Sequence, residues 1–146
     1  MEKLGYEKQN VYKLEVNDKG EYIEFDLLDI DLPNKVMNAY KNLEKEQKNA
    51  KLQEQIIYKK YADNETKKYE EIYKIQKEYF KNTRQIFDSF LGEGACQKIF
   101  GNTDRYGMFD DLLEALYPHL EKMQIDIENI KKSLVEKYLP NKKNVI

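Results

Sequence analysis

A glycine-rich segment interrupts the charged helical pattern that dominates this chain. It reads FDSFLGEGACQKIFG over residues 87–101. An incoming helix should stop at Gly92, because glycine takes the left-handed geometry that follows many helices without a Cβ penalty. A second, short helix is then predicted over about 94–100, with its apolar side chains buried: Cys96, Ile99 and Phe100. The segment therefore predicts a packing corner between two helices, and it offers no catalytic group.

Alternating residues near the N-terminus predict a β-hairpin over 11–27. The apolar positions of its two strands are Tyr12, Leu14, Val16 and Ile23, Phe25, Leu27. The link Asn17-Asp18-Lys19-Gly20 supplies residues that start turns and a glycine for positive φ. Because an isolated hairpin is marginal in water, its apolar face must pack on a helix or pair with strands of another copy.

The charged middle of the chain predicts two long helices. Pro33 suits the first turn of a helix, and Ala62-Asp63-Asn64-Glu65 is the best candidate for an interruption. This favours a helical hairpin over a continuous rod from 34 to 91. Between 41 and 55 the apolar stripe is thin, so the first helix should be exposed or should pair through a narrow seam. The second helix carries apolar residues at helical spacing: Tyr69, Ile72, Tyr73, Tyr79, Phe80, Ile86, Phe87, Phe90 and Leu91.

A last helix is predicted from Met108, with Pro118 kinking or splitting it. Its apolar stripe should continue through Met123 to Tyr138, and Pro140 should end it. We expect the core to gather around residues from three helices: Phe87, Phe90, Leu91, Ile99, Phe100, Leu112, Leu113 and Leu116.

The predicted fold is mainly α, with an N-terminal β-hairpin, a helical hairpin or bundle, and a glycine-cornered C-terminal helical unit. The boundaries are 1–32 for the hairpin segment, 33–91 for the long charged helices and 92–146 for the C-terminal unit. With 146 residues, the three segments suit one domain.

The charge pattern gives no case for nucleic acid or membrane as a partner. The net charge is −2 overall, with −5 over residues 1–32 and +4 over 41–84. An acidic segment beside a basic one is more typical of solvated faces that pack against each other than of a surface that binds nucleic acid. No stretch approaches the ~20 apolar residues of a membrane span. The single Cys96 excludes an internal disulfide and predicts a reducing, intracellular compartment.

Enzymatic chemistry is not expected. His119 is the only histidine and has no obvious partner that would position it as a general base. Cys96 is typical of a small buried thiol, and the chain has too few Cys and His residues for a metal centre. We therefore predict no catalytic residue, no metal and no cofactor. A tyrosine stripe leaves two interpretations open, packing between helices or a protein-binding surface: Tyr58, Tyr61, Tyr69, Tyr73 and Tyr79.

The segment FLGEGACQKIFG over residues 90–101, followed by NTDR and by FDDLLEAL over 109–116, resembles a known family. It is similar to the phage tail assembly chaperones of Gram-positive siphophages, myophages and phage-like particles. The specific likeness covers residues 86–123. It implies a protein of the host bacterial cytoplasm that binds the tape measure protein, keeps it soluble during tail tube assembly and helps recruit tail tube protein. It also implies absence from the mature particle and no catalytic residues.

If so, the client should dock where the corner and its loop leave apolar side chains partly packed. The expected docking residues are Phe90, Leu91, Tyr106, Met108 and Phe109. Self-association is a further expectation, because a lone hairpin has free strand edges and the middle helices a narrow apolar stripe. The alternative function is a helical or coiled-coil structural or adaptor protein that remains in its assembly.

Overall fold

In the computed structural model, which describes residues 1–8 and 10–123, the chain forms a β-hairpin followed by four helices. The strands β1 (Val11–Glu15) and β2 (Tyr22–Asp26) are antiparallel. In the turn, the Asn17 side-chain oxygen accepts hydrogen bonds from the backbone N–H groups of Lys19 and Glu21, at 2.9 and 3.3 Å. The predicted hairpin is confirmed. Its apolar face packs on helices of the same chain, and Phe25 is only 1% exposed.

The two long helices form the predicted hairpin. Helix α1 spans Leu32–Lys60 with a proline in its first turn, and α2 spans Glu65–Leu91. Asn64 ends the interruption, because its side-chain oxygen caps α2 by accepting a hydrogen bond from the Lys67 N–H at 3.1 Å. The chain therefore reverses direction here, and a continuous rod is excluded.

Burial divides this helical hairpin into two halves. Buried side chains lie at the beginning of α1 and in the last part of α2, whereas no residue from 44 to 78 is buried. We call residues 44–78 the stalk. It extends beyond the core and carries exposed apolar and aromatic side chains: Leu52, Ile56, Tyr58, Tyr69 and Tyr73. The thin apolar stripe in the sequence thus corresponds to an exposed element.

The glycine corner joins α2 to α3 (Ala95–Phe100), with a different geometry from that expected. Gly92 has φ 114° and ψ 154°, so it is not in the left-handed helical region; Gly94 occupies that region, at φ 75° and ψ 7°. A side chain of α2 also caps the next helix at this corner. An Asp88 carboxylate oxygen accepts a hydrogen bond from the Cys96 N–H at 2.8 Å.

Helix α4 (Met108–Lys122) completes the described fold. It is continuous through Pro118, so a split there is wrong, and the alternative of a kink stays a prediction. The expected stripe beyond Met123 and the stop at Pro140 lie outside the described residues. Of the expected core, five residues are buried and three are only partly buried against them; the latter are Ile99, Phe100 and Leu113. The core also includes residues from the hairpin, α1 and α4 that were not expected there: Ile23, Phe25, Leu32, Val36, Ala39, Met108, Phe109 and Leu120.

Candidate functional site

The structure separates Tyr106 from the other four expected docking residues. Tyr106 is 84% exposed, whereas all four others are buried: Phe90, Leu91, Met108 and Phe109. The expectation that these four are only partly packed is wrong. Phe109, for example, is fully packed because its ring contacts three phenylalanine rings whose centroids lie 5.4–5.8 Å away: Phe80, Phe87 and Phe100. A partner that binds the outside of this fold can reach only Tyr106 among the five.

Tyr106 forms one side of a groove between the stalk and the loop that precedes α4. The groove has a volume of about 380 Å³, and we call it the aromatic groove. Ile72 and the buried Phe80 supply apolar surface, while Tyr69 and Tyr73 are 75% and 54% exposed. The full lining is Tyr69, Ile72, Tyr73, Gln76, Lys77, Phe80, Asp104 and Tyr106. An open groove of this composition has contact area for an apolar partner and polar groups that can orient it.

Two contacts fix the position of the Tyr106 ring. Its hydroxyl donates a hydrogen bond to the Gln76 side-chain oxygen at 3.1 Å. Its ring also meets Phe80 edge-on, with the centroids 6.4 Å apart. The tyrosine is therefore exposed but held in place, so less side-chain entropy is lost when a partner packs against it.

Arg84 anchors the loop that carries Tyr106. Its guanidinium donates hydrogen bonds to the Asp104 carboxylate at 2.9 Å, to the Gly101 carbonyl at 2.9 Å and to the Thr103 carbonyl at 3.2 Å. The same group lies over the Phe100 ring, 5.8 Å from its centroid. One side chain of α2 thus fixes three successive parts of the loop.

Asp104 connects this anchor to the groove. One carboxylate oxygen contacts Arg84, and the other accepts a hydrogen bond from the Lys77 ammonium at 3.0 Å. Partial burial opposes ionisation, yet the hydrogen bonds from Lys77 and Arg84 hold the pKa of Asp104 below its ordinary value. The carboxylate is therefore charged at neutral pH, and its charge is balanced within the site.

Replacing Arg84 by lysine is expected to lower the free energy of unfolding by about 1.5–3 kcal/mol. Lysine keeps the charge but cannot reproduce the planar fork that reaches the carboxylate and both carbonyls. Urea denaturation followed by circular dichroism measures the change. The control is Arg105→Lys, at an exposed position of the same loop, which should leave stability within ~0.5 kcal/mol. Equal effects of the two substitutions would contradict the anchoring role.

The tyrosine stripe is neither wholly a packing seam nor wholly a free surface. Tyr79 packs against the core, and Tyr61 is partly buried. Three tyrosines are largely exposed: Tyr58, Tyr69 and Tyr73. For these three, a protein-binding surface stays one of the two open interpretations. The sequence pattern gives no sign that Tyr106, Gln76 and Asp104 lie at the same place. The helical spacing of residues 69, 72, 73, 76 and 80 was the available signal for one wall of the groove.

The residues with catalytic potential have structural contacts. The His119 Nδ1 atom lies 2.9 Å from the Tyr12 hydroxyl and so links α4 to the hairpin. Burial, followed by the nearby Asp88 charge, raises the pKa of the Cys96 thiol to about 12. Within residues 1–8 and 10–123, no cluster of three His, Cys, Asp or Glu side chains could hold a metal ion. No helix in that part of the chain is long and apolar enough to cross a membrane.

The fold and the groove define a mainly helical protein with an N-terminal β-hairpin and an exposed aromatic surface. The chain belongs to the Family of unknown function (DUF6673), whose pattern matches residues 19–144. That match begins within the hairpin turn and includes β2, the stalk, the glycine corner and α4. No curated protein and no solved structure matches the chain.

Proposed function

We propose that this protein is a phage tail assembly chaperone that binds the tape measure protein through the aromatic groove. The observation that carries the proposal is the exposure of Tyr69, Tyr73 and Tyr106 around an apolar floor. The phage context comes from the resemblance of residues 86–123 to that family. In this role the protein acts in the host bacterial cytoplasm, helps recruit tail tube protein and is absent from the mature particle.

The stalk suits the holding of long apolar helices. A chaperone of this kind needs apolar surface that is exposed yet interrupted by charge, so that it stays soluble before its client arrives. The stalk alternates exposed Leu52, Ile56 and Tyr58 with many lysine and glutamate side chains. If the client helix also contacts the stalk along its length, one client segment can bind in the groove while the neighbouring helical turns of the client pack against the stalk.

The contacts of the candidate reactive groups favour binding over catalysis. Cys96 is buried and its raised pKa keeps it as a thiol, which is a poor nucleophile. His119 interacts with a tyrosine hydroxyl, and that partner does not activate it as a base in the way a carboxylate would. A non-enzymatic function fits these arrangements.

Co-expression with the tape measure protein tests the proposal. Replacing Tyr106 by glutamate should reduce the amount of client that co-purifies by about tenfold, because a carboxylate at the groove opposes apolar contact. Tyr6→Glu is the matched control, since Tyr6 is also 84% exposed but does not line the groove. That control should co-purify client as the unchanged protein does, and both variants should keep the same helical signal.

Two results would overturn this function. One is a tape measure protein that stays equally soluble when expressed without this chain. The other is the presence of this chain in stoichiometric amount in purified particles, which would establish the alternative of a structural or adaptor protein that remains in its assembly.

A further inference from the structure

A basic surface adjoins the aromatic groove along the same helix. Lys74, Lys77 and Lys81 recur at helical spacing on α2, and together with Arg84 they line a second depression that shares Tyr73, Lys77 and Asp104 with the groove. We call these three lysines the basic shelf. Because the depressions share residues, a partner seated against Tyr73 would also meet the shelf.

The acidic groups near the shelf neutralise it only in part. Glu78 and Asp104 are the two acids that line the depression, and both oxygens of Asp104 are already paired with Arg84 and Lys77. Lys74 lies 3.3 Å from Glu71, but 68% of its side chain remains exposed. Four cations, the shelf lysines and Arg84, thus face three acids, Glu71, Glu78 and Asp104, and the remaining single positive charge is presented by the exposed Lys74 and Lys81.

The groove has the length of a short helix. Its wall on α2 runs from Tyr69 to Phe80, which is about 16 Å at 1.5 Å per residue, or three turns. A helix lying in a groove inserts apolar side chains at i, i+3, i+4 and i+7, and its flanks face the edges. One edge of this groove is the basic shelf, so the matching flank of the partner should be acidic.

We propose that the aromatic groove binds an amphipathic helix of about three turns with apolar anchors on one face and carboxylates along the edge that meets the basic shelf. This rests on the proposed function and specifies the client segment. A single nucleic-acid strand stacking on the tyrosines is the competing occupant. It is disfavoured because a single-strand site needs cations along the whole strand, whereas Lys77 is the one basic side chain among the described residues that line the groove and it is already paired with Asp104.

Two synthetic peptides of three to four turns test the charge preference. Both carry leucine at i, i+3, i+4 and i+7 and a fluorescent label; one has glutamate along one flank and the other has lysine there. Fluorescence anisotropy with the full chain should show at least tenfold tighter binding of the glutamate peptide. Raising the salt from about 0.05 to 0.5 M should shrink that preference, because the charges are exposed. Labelled oligothymidine is the third probe.

Charge-reversed variants connect the preference to the shelf. Lys74→Glu with Lys81→Glu should favour the lysine peptide. The control is Lys51→Glu with Lys59→Glu, which makes the same change in net charge at exposed positions of α1 and should keep the original preference. All four positions are partly or fully solvated helix surface, so folding should be retained, and circular dichroism checks this.

Several outcomes would overturn the inference: equal binding of the two peptides, no binding of either, an unchanged preference in the shelf variant, or tighter binding of oligothymidine than of the glutamate peptide. If one of these occurs while Tyr106→Glu still reduces co-purification of the tape measure protein, the proposed function stands without the preference for an acidic helix. If the glutamate peptide binds as expected but the tape measure protein does not, the groove preference stands and the proposed function fails.

Discussion

Replacing Phe87 by alanine is expected to lower the free energy of unfolding by about 3–5 kcal/mol. Phe87 is fully buried, and its ring stacks on Phe109 with 5.5 Å between centroids and 10° between planes. It also lies 5.9 Å from the Phe90 ring. Removing the ring leaves a cavity where α2 and α4 meet, and rigid aromatic neighbours on two sides limit how far the cavity can collapse.

Chemical denaturation gives the direct measurement, and thermal unfolding should show a drop of about 10 °C or more for a chain of this size. Phe87→Leu is the conservative comparison and should cost less than about 1.5 kcal/mol. Tyr69→Ala, at a position that is 75% exposed, should leave stability within ~0.5 kcal/mol. A loss below ~1 kcal/mol for Phe87→Ala would show that the aromatic cluster is not the centre of the core.

The elements of the fold were predictable because each has a strong local signal. Alternation around Asn17-Asp18-Lys19-Gly20 identifies the hairpin, and its turn needs only the Asn17 side chain and a glycine at positive φ. Asn64 at the break between the long helices is likewise a local signal, since its side chain caps the residue three positions on. Such interactions lie within a few residues, so sequence spacing reveals them directly.

The aromatic groove was less predictable because helical spacing does not say which part of a face is covered. Tyr69 and Tyr73 follow the same pattern as Tyr79 and Phe80, yet only the latter pair packs against the core. The difference depends on where the first turn of α4 meets α2, through the ring of Phe109 on Phe80. That contact joins residues far apart in the chain, and no local signal fixes its position.

The same limit explains the misplaced docking residues. Met108 and Phe109 follow a polar loop that contains Gly107, so they resemble the exposed start of a helix. In the structure, Arg84 holds the loop against α2 through contacts 17–20 residues away in sequence, and the start of α4 is thereby carried into the core. Side-chain contacts over such distances decide whether an apolar residue is core or surface.

The stability of the protein should fall at alkaline pH because of Cys96. Burial, and then the charge of Asp88 and its hydrogen bond, raise the thiol pKa from 9.0 to about 12. Below pH 9 the thiol is protonated in both the folded and the unfolded chain, so its full contribution to the free energy of unfolding is present there. Between pH 9 and 12 the unfolded chain releases this proton while the folded chain keeps it, and the free energy of unfolding therefore declines with rising pH. At pH 10.5 the loss should be about 2 kcal/mol, from 1.36 kcal/mol per pKa unit.

The difference between the unchanged protein and Cys96→Ala isolates this effect, because the many tyrosines and lysines titrate alike in both proteins. At pH 7–8 the alanine variant should be less stable by about 1 kcal/mol, since a buried side chain has been shortened. That gap should close and then reverse as the pH passes through 10, because only the unchanged protein must keep a thiol protonated against the solvent. Urea denaturation at half-unit steps from pH 8 to about 10.5 measures the crossing. A constant difference across this range would mean that the Cys96 thiolate is as well accommodated in the folded chain as in water, so that burial does not raise the pKa of this thiol.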